Sequence, residues 1–205
     1  MGEVKLGELE WAAASRPATP GAEVGDLCVV RPIEHGYLLA VVDGLGHGAE
    51  AAAAARIAVR VLERSGQRSP MALIAECHEA LRTSRGAVMG LALVDTSIGA
   101  LTWAGVGDVT ARLCRSEPVG PARLEVLFTH NGTVGRTLPP LRPVMRALLE
   151  GDVVILATDG IRGGFEPGAC GDDPAERLAG GFLERHAVAG DDALVLVARY
   201  RGEPA

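Results

Sequence analysis

The chain has 205 residues, 48% hydrophobic and 22% charged, with a formal net charge of −6. That length and apolar content suit one domain, residues 1–205, with a core of its own, and exclude general disorder. The acidic balance and the lack of any long basic block argue against nucleic-acid binding and against polybasic docking on membranes.

No apolar run approaches the roughly 18 residues needed to span a bilayer. The N-terminus, MGEVKLGELEW, lacks the basic start and apolar core of a secretion signal, and Leu6 stands where myristoylation needs Ser or Thr. Cys28, Cys77, Cys114 and Cys170 are far apart with no C-x-x-C, which fits free thiols in a reducing cytoplasm better than structural zinc.

In chain order, a strand is predicted over 5–13, then a Pro/Gly loop, SRPATPGAEVG, then strands over 26–32 and 36–42. Helices follow over 48–64 and 70–84, the second with Ser69 as N-cap and Pro70 at the first helical position. The alanine-rich run 51–55 reads as a helix face packed closely on a sheet. Apolar runs at 87–95, 98–105 and 108–114 are joined by turns too short for parallel crossovers, so they pair antiparallel. Further strands are predicted at 123–129, near 143–149 and in DVVILAT, with loops between and at GGFEPGACGDDP. A helix over 174–187 precedes the closing strand ALVLVARY. Two helices between blocks of antiparallel strands, and a third before the last strand, make an α+β fold. Strands apolar at nearly every position imply burial on both faces, as in two packed antiparallel sheets flanked by helices, a four-layer αββα sandwich.

Acidic residues mark the ends of these strands. VVDGLGHG puts Asp43-Gly44 at the end of one apolar strand, and VILATDGI puts Asp159-Gly160 at the end of another. VGDLCVV opens a strand on Asp26, and GDDALVLV opens the last on Asp191 and Asp192. A lone Asp-Gly is ordinary turn chemistry. Four such ends brought together are different, because two carboxylates about 5 Å apart repel by roughly 3 kcal/mol at an effective dielectric near 20. A converging cluster must protonate, splay or bind a cation. Hard divalent ions suit carboxylates and backbone carbonyls, and glycine after each aspartate lets the backbone come close.

VVDGLGHG, VILATDGI and DDALVLV, in that order, resemble the signature of the PPM family, the metal-dependent type-2C serine/threonine protein phosphatases. DGLGHG, VGDLCVV and the Gly-Asp pair in WAGVGDVTARL resemble the bacterial sporulation and stress-signalling branch. A short chain without a sensor domain is most similar to the stand-alone feedback phosphatases of the stressosome. The resemblance implies two Mn²⁺ or Mg²⁺ ions. Asp43 would bridge them, Gly44 would offer its carbonyl to the second, Asp159 and Asp191 would hold the first, and Asp26 would bind the second or one of its waters. Asp108 would touch a third ion. It further implies a metal-bridged water attacking phosphorus in line, with phosphorylated STAS-domain stressosome proteins as substrates.

The chain also departs from that pattern. Arg16 lies where many relatives carry a phosphate-gripping arginine, but SRPATPG matches that motif loosely. Asp192 stands where many relatives have Asn, and its extra charge is expected to face solvent. Segment 115–150, where larger relatives carry a flap, is short and Pro-rich. His47 in the glycine turn serves either proton transfer or the turn itself. His130 and Asn131 read as turn formers. Arg162 and Arg136 read as surface charges that could meet phosphate. Two other readings compete. GLGHGA with Glu63 downstream satisfies a dinucleotide-binding fingerprint, but Glu63 falls at a helix end rather than a strand end. A non-catalytic binding module on the phosphatase fold would have lost metal-binding aspartates, whereas Asp43, Asp159 and Asp191 are all present.

Overall fold

A computed structural model of the chain describes residues 2–66, 69–115, 123–163, 165 and 170–202. The N-terminal stretch is a hairpin, β1 (Gly2–Leu6) and β2 (Leu9–Arg16), rather than the single strand expected over 5–13. Gly7 turns the chain there at φ 51°, a conformation that only glycine adopts cheaply. β3 (Asp26–Ile33) and β4 (Gly36–Gly44) follow, then α1 (Ala49–Arg64) and α2 (Pro70–Leu81). Ser69 occupies the N-cap position of α2, but its side chain makes no capping bond. The helix starts instead on the preset φ of Pro70, with Leu73, Ile74, Cys77 and Leu81 buried beneath it.

A three-strand meander comes next, β5 (Ala87–Asp95), β6 (Ala100–Val106) and β7 (Thr110–Arg115). After it lie β8 (Arg123–Leu127), β9 (Val144–Ala147), β10 (Val153–Ala157), α3 (Ala175–His186) and β11 (Ala193–Tyr200). Residues 116–122 of the short segment 115–150, and residues 164 and 166–169 of the loop expected over 163–174, lie outside the described residues.

The strands form two sheets, a six-stranded one ordered β1-β2-β11-β10-β7-β8 and a five-stranded one ordered β3-β4-β5-β6-β9. Every strand pair is antiparallel. Leu39, Val41, Leu101 and Trp103 of the five-stranded sheet pack against Leu113, Val154, Leu156 and Leu196 of the other. α1 and α2 cover the outer face of the five-stranded sheet. α3 covers the outer face of the six-stranded sheet. The architecture is the expected αββα sandwich. All five residues of β10 and all eight of β11 are buried, which is why those segments read as unbroken apolar runs.

The alanine run does bring α1 close to the sheet, with Ala51, Ala52, Ala54, Ala55 and Ala58 buried along one helix face. A buried carboxylate, Glu10, ties three elements together. It accepts the Ala175 N–H at 2.8 Å, where α3 begins, and pairs with Arg201 beyond β11. None of the four cysteines forms a disulfide, and three of them are buried. Among the described residues no helix is long and apolar enough to cross a membrane.

Candidate metal centre

Four strand ends come together at one end of the sandwich. β3 opens on Asp26 and β4 closes on Asp43 and Gly44, and the antiparallel register sets Asp26 opposite Asp43. Across the sheet interface, Asp159 follows β10 and Asp191 precedes β11. Each pair is local to one sheet, and packing of the sheets brings the pairs within electrostatic reach of each other.

The charges of the cluster act on one another accordingly. Burial, and then the charges of Asp26, Asp159 and Asp191, push Asp43 up to about 9. A hydrogen bond between the Asp26 and Asp43 carboxyls favours the protonated Asp43 further. Burial first, then the charges of Asp192, Asp159 and Asp191, push Asp26 up to about 7, with a hydrogen bond from Thr158 pulling the other way. Asp159 is raised by burial, Asp191 and Asp108, against the nearby Arg162. The cluster is short of positive charge and holds protons where cations would satisfy it.

No three acidic, His or Cys side chains among the described residues close into a ready-made cage around one point. The donors come instead as an Asp26–Asp43 pair with the Gly44 carbonyl beside it, and as Asp159 with Asp191. This donor set fits Mg²⁺ or Mn²⁺, which keep several waters and need only one or two carboxylates each.

Backbone packing fixes both Asp-Gly turns. A Cβ on Gly44 would lie 2.0 Å from the Ala51 carbonyl oxygen in α1, and one on Gly160 would lie 1.9 Å from the Asp192 carbonyl oxygen. A side chain at Gly44 would push against the start of α1, and one at Gly160 against the backbone that leads into β11.

Thr158 was not singled out in the sequence. It is fully buried, and its hydroxyl donates to Asp26 Oδ2 at 2.6 Å and accepts the Leu194 N–H at 2.9 Å. One hydroxyl thus connects β10, β11 and β3. The hint in the sequence was the threonine ending an otherwise apolar strand just before Asp159, but a β-branched residue there is ordinary.

The expectation that Asp192 faces solvent is wrong. It is 6% exposed, and its two oxygens accept the Ala18 N–H at 2.7 Å and the Gly25 N–H at 2.8 Å. Two backbone donors from the β2–β3 loop compensate for its burial.

Asp108 is exposed, though its charge acts on Asp159. His47 is exposed in the glycine turn. Arg16 donates to the Val188 carbonyl at 3.0 Å, and its backbone lies opposite Ala193 beside the acidic cluster. Arg136 holds the Arg85 and Ser84 carbonyls between α2 and β5. Arg162 is exposed beside Asp159. His130 joins β6 through its backbone, and its Nδ1 is buried without a partner among the described residues. Glu63 is exposed in the last turn of α1, and the glycine turn sits on an antiparallel sheet, so the dinucleotide-binding reading fails.

Comparison with known proteins gives a consistent picture. The stage II sporulation protein E (SpoIIE) family matches residues 33–201. A solved chain described under the bacterial stressosome, a modular system adapted to control secondary messenger signalling, is 32% identical with a TM-score of 0.84, covering 93% of this chain and 99% of its own. RsbX in complex with magnesium superposes with a TM-score of 0.85 at 16% identity over 97% of this chain and 98% of its own. The serine/threonine phosphatase PstP/Ppp of Mycobacterium tuberculosis superposes with a TM-score of 0.74 at 17% identity, covering 94% and 99%. The last two likenesses speak for the fold. A comparison with curated proteins gives no match.

Proposed function

The chain belongs to the SpoIIE family of PP2C-type serine/threonine phosphatases, and from that premise we propose that its acidic strand ends hold two Mn²⁺ or Mg²⁺ ions for phosphoprotein hydrolysis. The observation that carries this reading is the meeting of Asp26, Asp43, Asp159 and Asp191, four buried or half-buried carboxylates from four strand ends.

In this reading Asp43 would serve both ions, Asp26 and the Gly44 carbonyl one of them, and Asp159 and Asp191 the other. When bound, such ions supply a hydroxide nucleophile at neutral pH and offset charge on the phosphoryl oxygens. The chain's own groups prepare the site for them. Thr158 holds Asp26 Oδ2, so that carboxylate enters the reaction already oriented. The hydrogen-bonded Asp26–Asp43 pair would bind cations in competition with its proton. Arg162, exposed beside Asp159, is placed to meet an incoming anionic group.

We assign residues 1–205 to one phosphatase domain. Its substrates are phosphorylated STAS-domain proteins of a stressosome-type complex, a reading supported by the 32% identical stressosome chain. Hydrolysis of a small aryl phosphate in Mn²⁺, abolished by EDTA and restored by added metal, tests the chemistry. Release of phosphate from a phosphorylated STAS domain, followed by mass spectrometry, tests the substrate. Metal-independent turnover, or none with Mn²⁺ or Mg²⁺, refutes the proposal.

A further inference from the structure

Asp192 does not belong to the ligand set, yet it touches most of the elements that carry it. Its Oδ1 accepts the Ala18 N–H at 2.7 Å and its Oδ2 the Gly25 N–H at 2.8 Å, from residues more than 160 positions earlier in the chain. Gly25 in turn accepts the Gly44 N–H on its own carbonyl at 3.1 Å, and the next residue is Asp26. The main-chain carbonyl of Asp192 packs on Gly160, where a Cβ would lie 1.9 Å away. A Cβ on Gly25 would lie 3.0 Å from Asp192 Oδ2. One residue just before β11 thereby meets the turn after Asp159, the start of β3 and, through Gly25, the end of β4.

The chemistry of the side chain matters as much as its position. The two N–H donors meet different oxygens of the carboxylate, and an amide would set a donor against one of them. Bonds from backbone N–H groups to an ionised carboxylate are shorter and stronger than neutral ones. A buried anion beside other anions is an expensive way to fasten a loop unless the fastening sets something else. The segments it fastens here lead directly into Asp26, at the start of β3, and into Gly160, next to Asp159.

We propose that Asp192 is a positioning residue that clamps the β2–β3 loop and thereby tunes the affinity of the site for divalent cations. The inference rests on the metal-dependent phosphatase reading. Asp192→Asn keeps the size of the side chain but turns one acceptor into a donor facing an N–H. The Mn²⁺ concentration for half-saturation, measured by calorimetry, rises about 10–100-fold, the usual consequence of disturbing groups behind a metal ligand. The turnover at saturating Mn²⁺ changes much less. Amide hydrogen exchange gives a second readout that needs no metal. The Ala18 and Gly25 N–H groups are protected in the wild-type protein, and in the Asn variant at least one loses that protection.

A role in stability alone lowers the unfolding midpoint and leaves Mn²⁺ affinity unchanged in the folded variant, and that result overturns the inference. So does free exchange of both amides in the wild-type protein, whether or not the variant folds. Wild-type protein that binds no Mn²⁺ overturns the phosphatase reading and this inference with it. Wild-type protein that binds Mn²⁺, with the variant equal in affinity, overturns this inference alone.

Discussion

Replacing Asp43 by Asn has two effects of opposite sign. In the metal-free protein, burial and three neighbouring charges hold Asp43 up at about 9, against an ordinary value of 3.8. Near pH 7 the folded state must keep a proton that the unfolded chain would release. That gap is roughly three units at about 1.4 kcal/mol each, on the order of 4 kcal/mol of stability lost relative to a neutral side chain. Asn has no charge to suppress, and its amide can donate to Asp26 in place of the shared proton. In EDTA near pH 7 the Asn variant is therefore the more stable protein, by on the order of 4 kcal/mol, or about 8–16 °C in unfolding midpoint. The sign follows from a raised folded value. Stability from protonated Asp43 is complete below 3.8 and drains away as pH climbs toward about 9, so the advantage of the variant grows across that window. In Mn²⁺ the order reverses, because the wild type gains binding free energy and the variant does not. Thermal unfolding at several pH values, with EDTA and with Mn²⁺, reads all of this. An Asn variant that is less stable in EDTA, or a difference that does not depend on pH, refutes the reasoning.

Thr158→Val removes the donor to Asp26 and leaves the Leu194 N–H without the hydroxyl it meets at 2.9 Å, so urea unfolding shows a loss of about 1–3 kcal/mol that Thr158→Ser recovers. Gly44→Ala drives a methyl against the Ala51 carbonyl of α1, and since backbone must move, chemical denaturation records a loss of about 1–3 kcal/mol or more. Glu10 is a case of the opposite sign. Burial alone would raise it, but the Ala175 N–H and Arg201 overcome that and hold it below its ordinary value. Its contribution is full above the unfolded value and is lost as pH falls through the folded one. Glu10→Gln accordingly flattens the acid limb of the stability profile, and an unchanged limb contradicts the assignment.

Much of the fold was legible because the sheets bury both faces, and β10 and β11 print that burial as continuous apolar runs. The Asp-Gly turns were legible for a related reason, since a charged residue that ends such a run stands out against it. Single residues with long-range partners were not legible. Gly7 interrupts a β-rich stretch only once, so the β1–β2 hairpin looked like one strand. Thr158 resembles any β-branched strand residue until β3 delivers Asp26 to its hydroxyl. Asp192 precedes a strand, where acids usually meet water, and only the β2–β3 loop folding over it makes its burial tolerable. The pairs that decide these roles lie more than 130 residues apart in sequence, and periodicity carries no information at that range.

The most direct measurement is the anomalous scattering of a crystal soaked in Mn²⁺. Two peaks are predicted, both within coordination distance of Asp43, one also near Asp26 and the Gly44 carbonyl and the other near Asp159 and Asp191. Strong Mn²⁺ peaks elsewhere with this end of the sandwich empty would contradict the account.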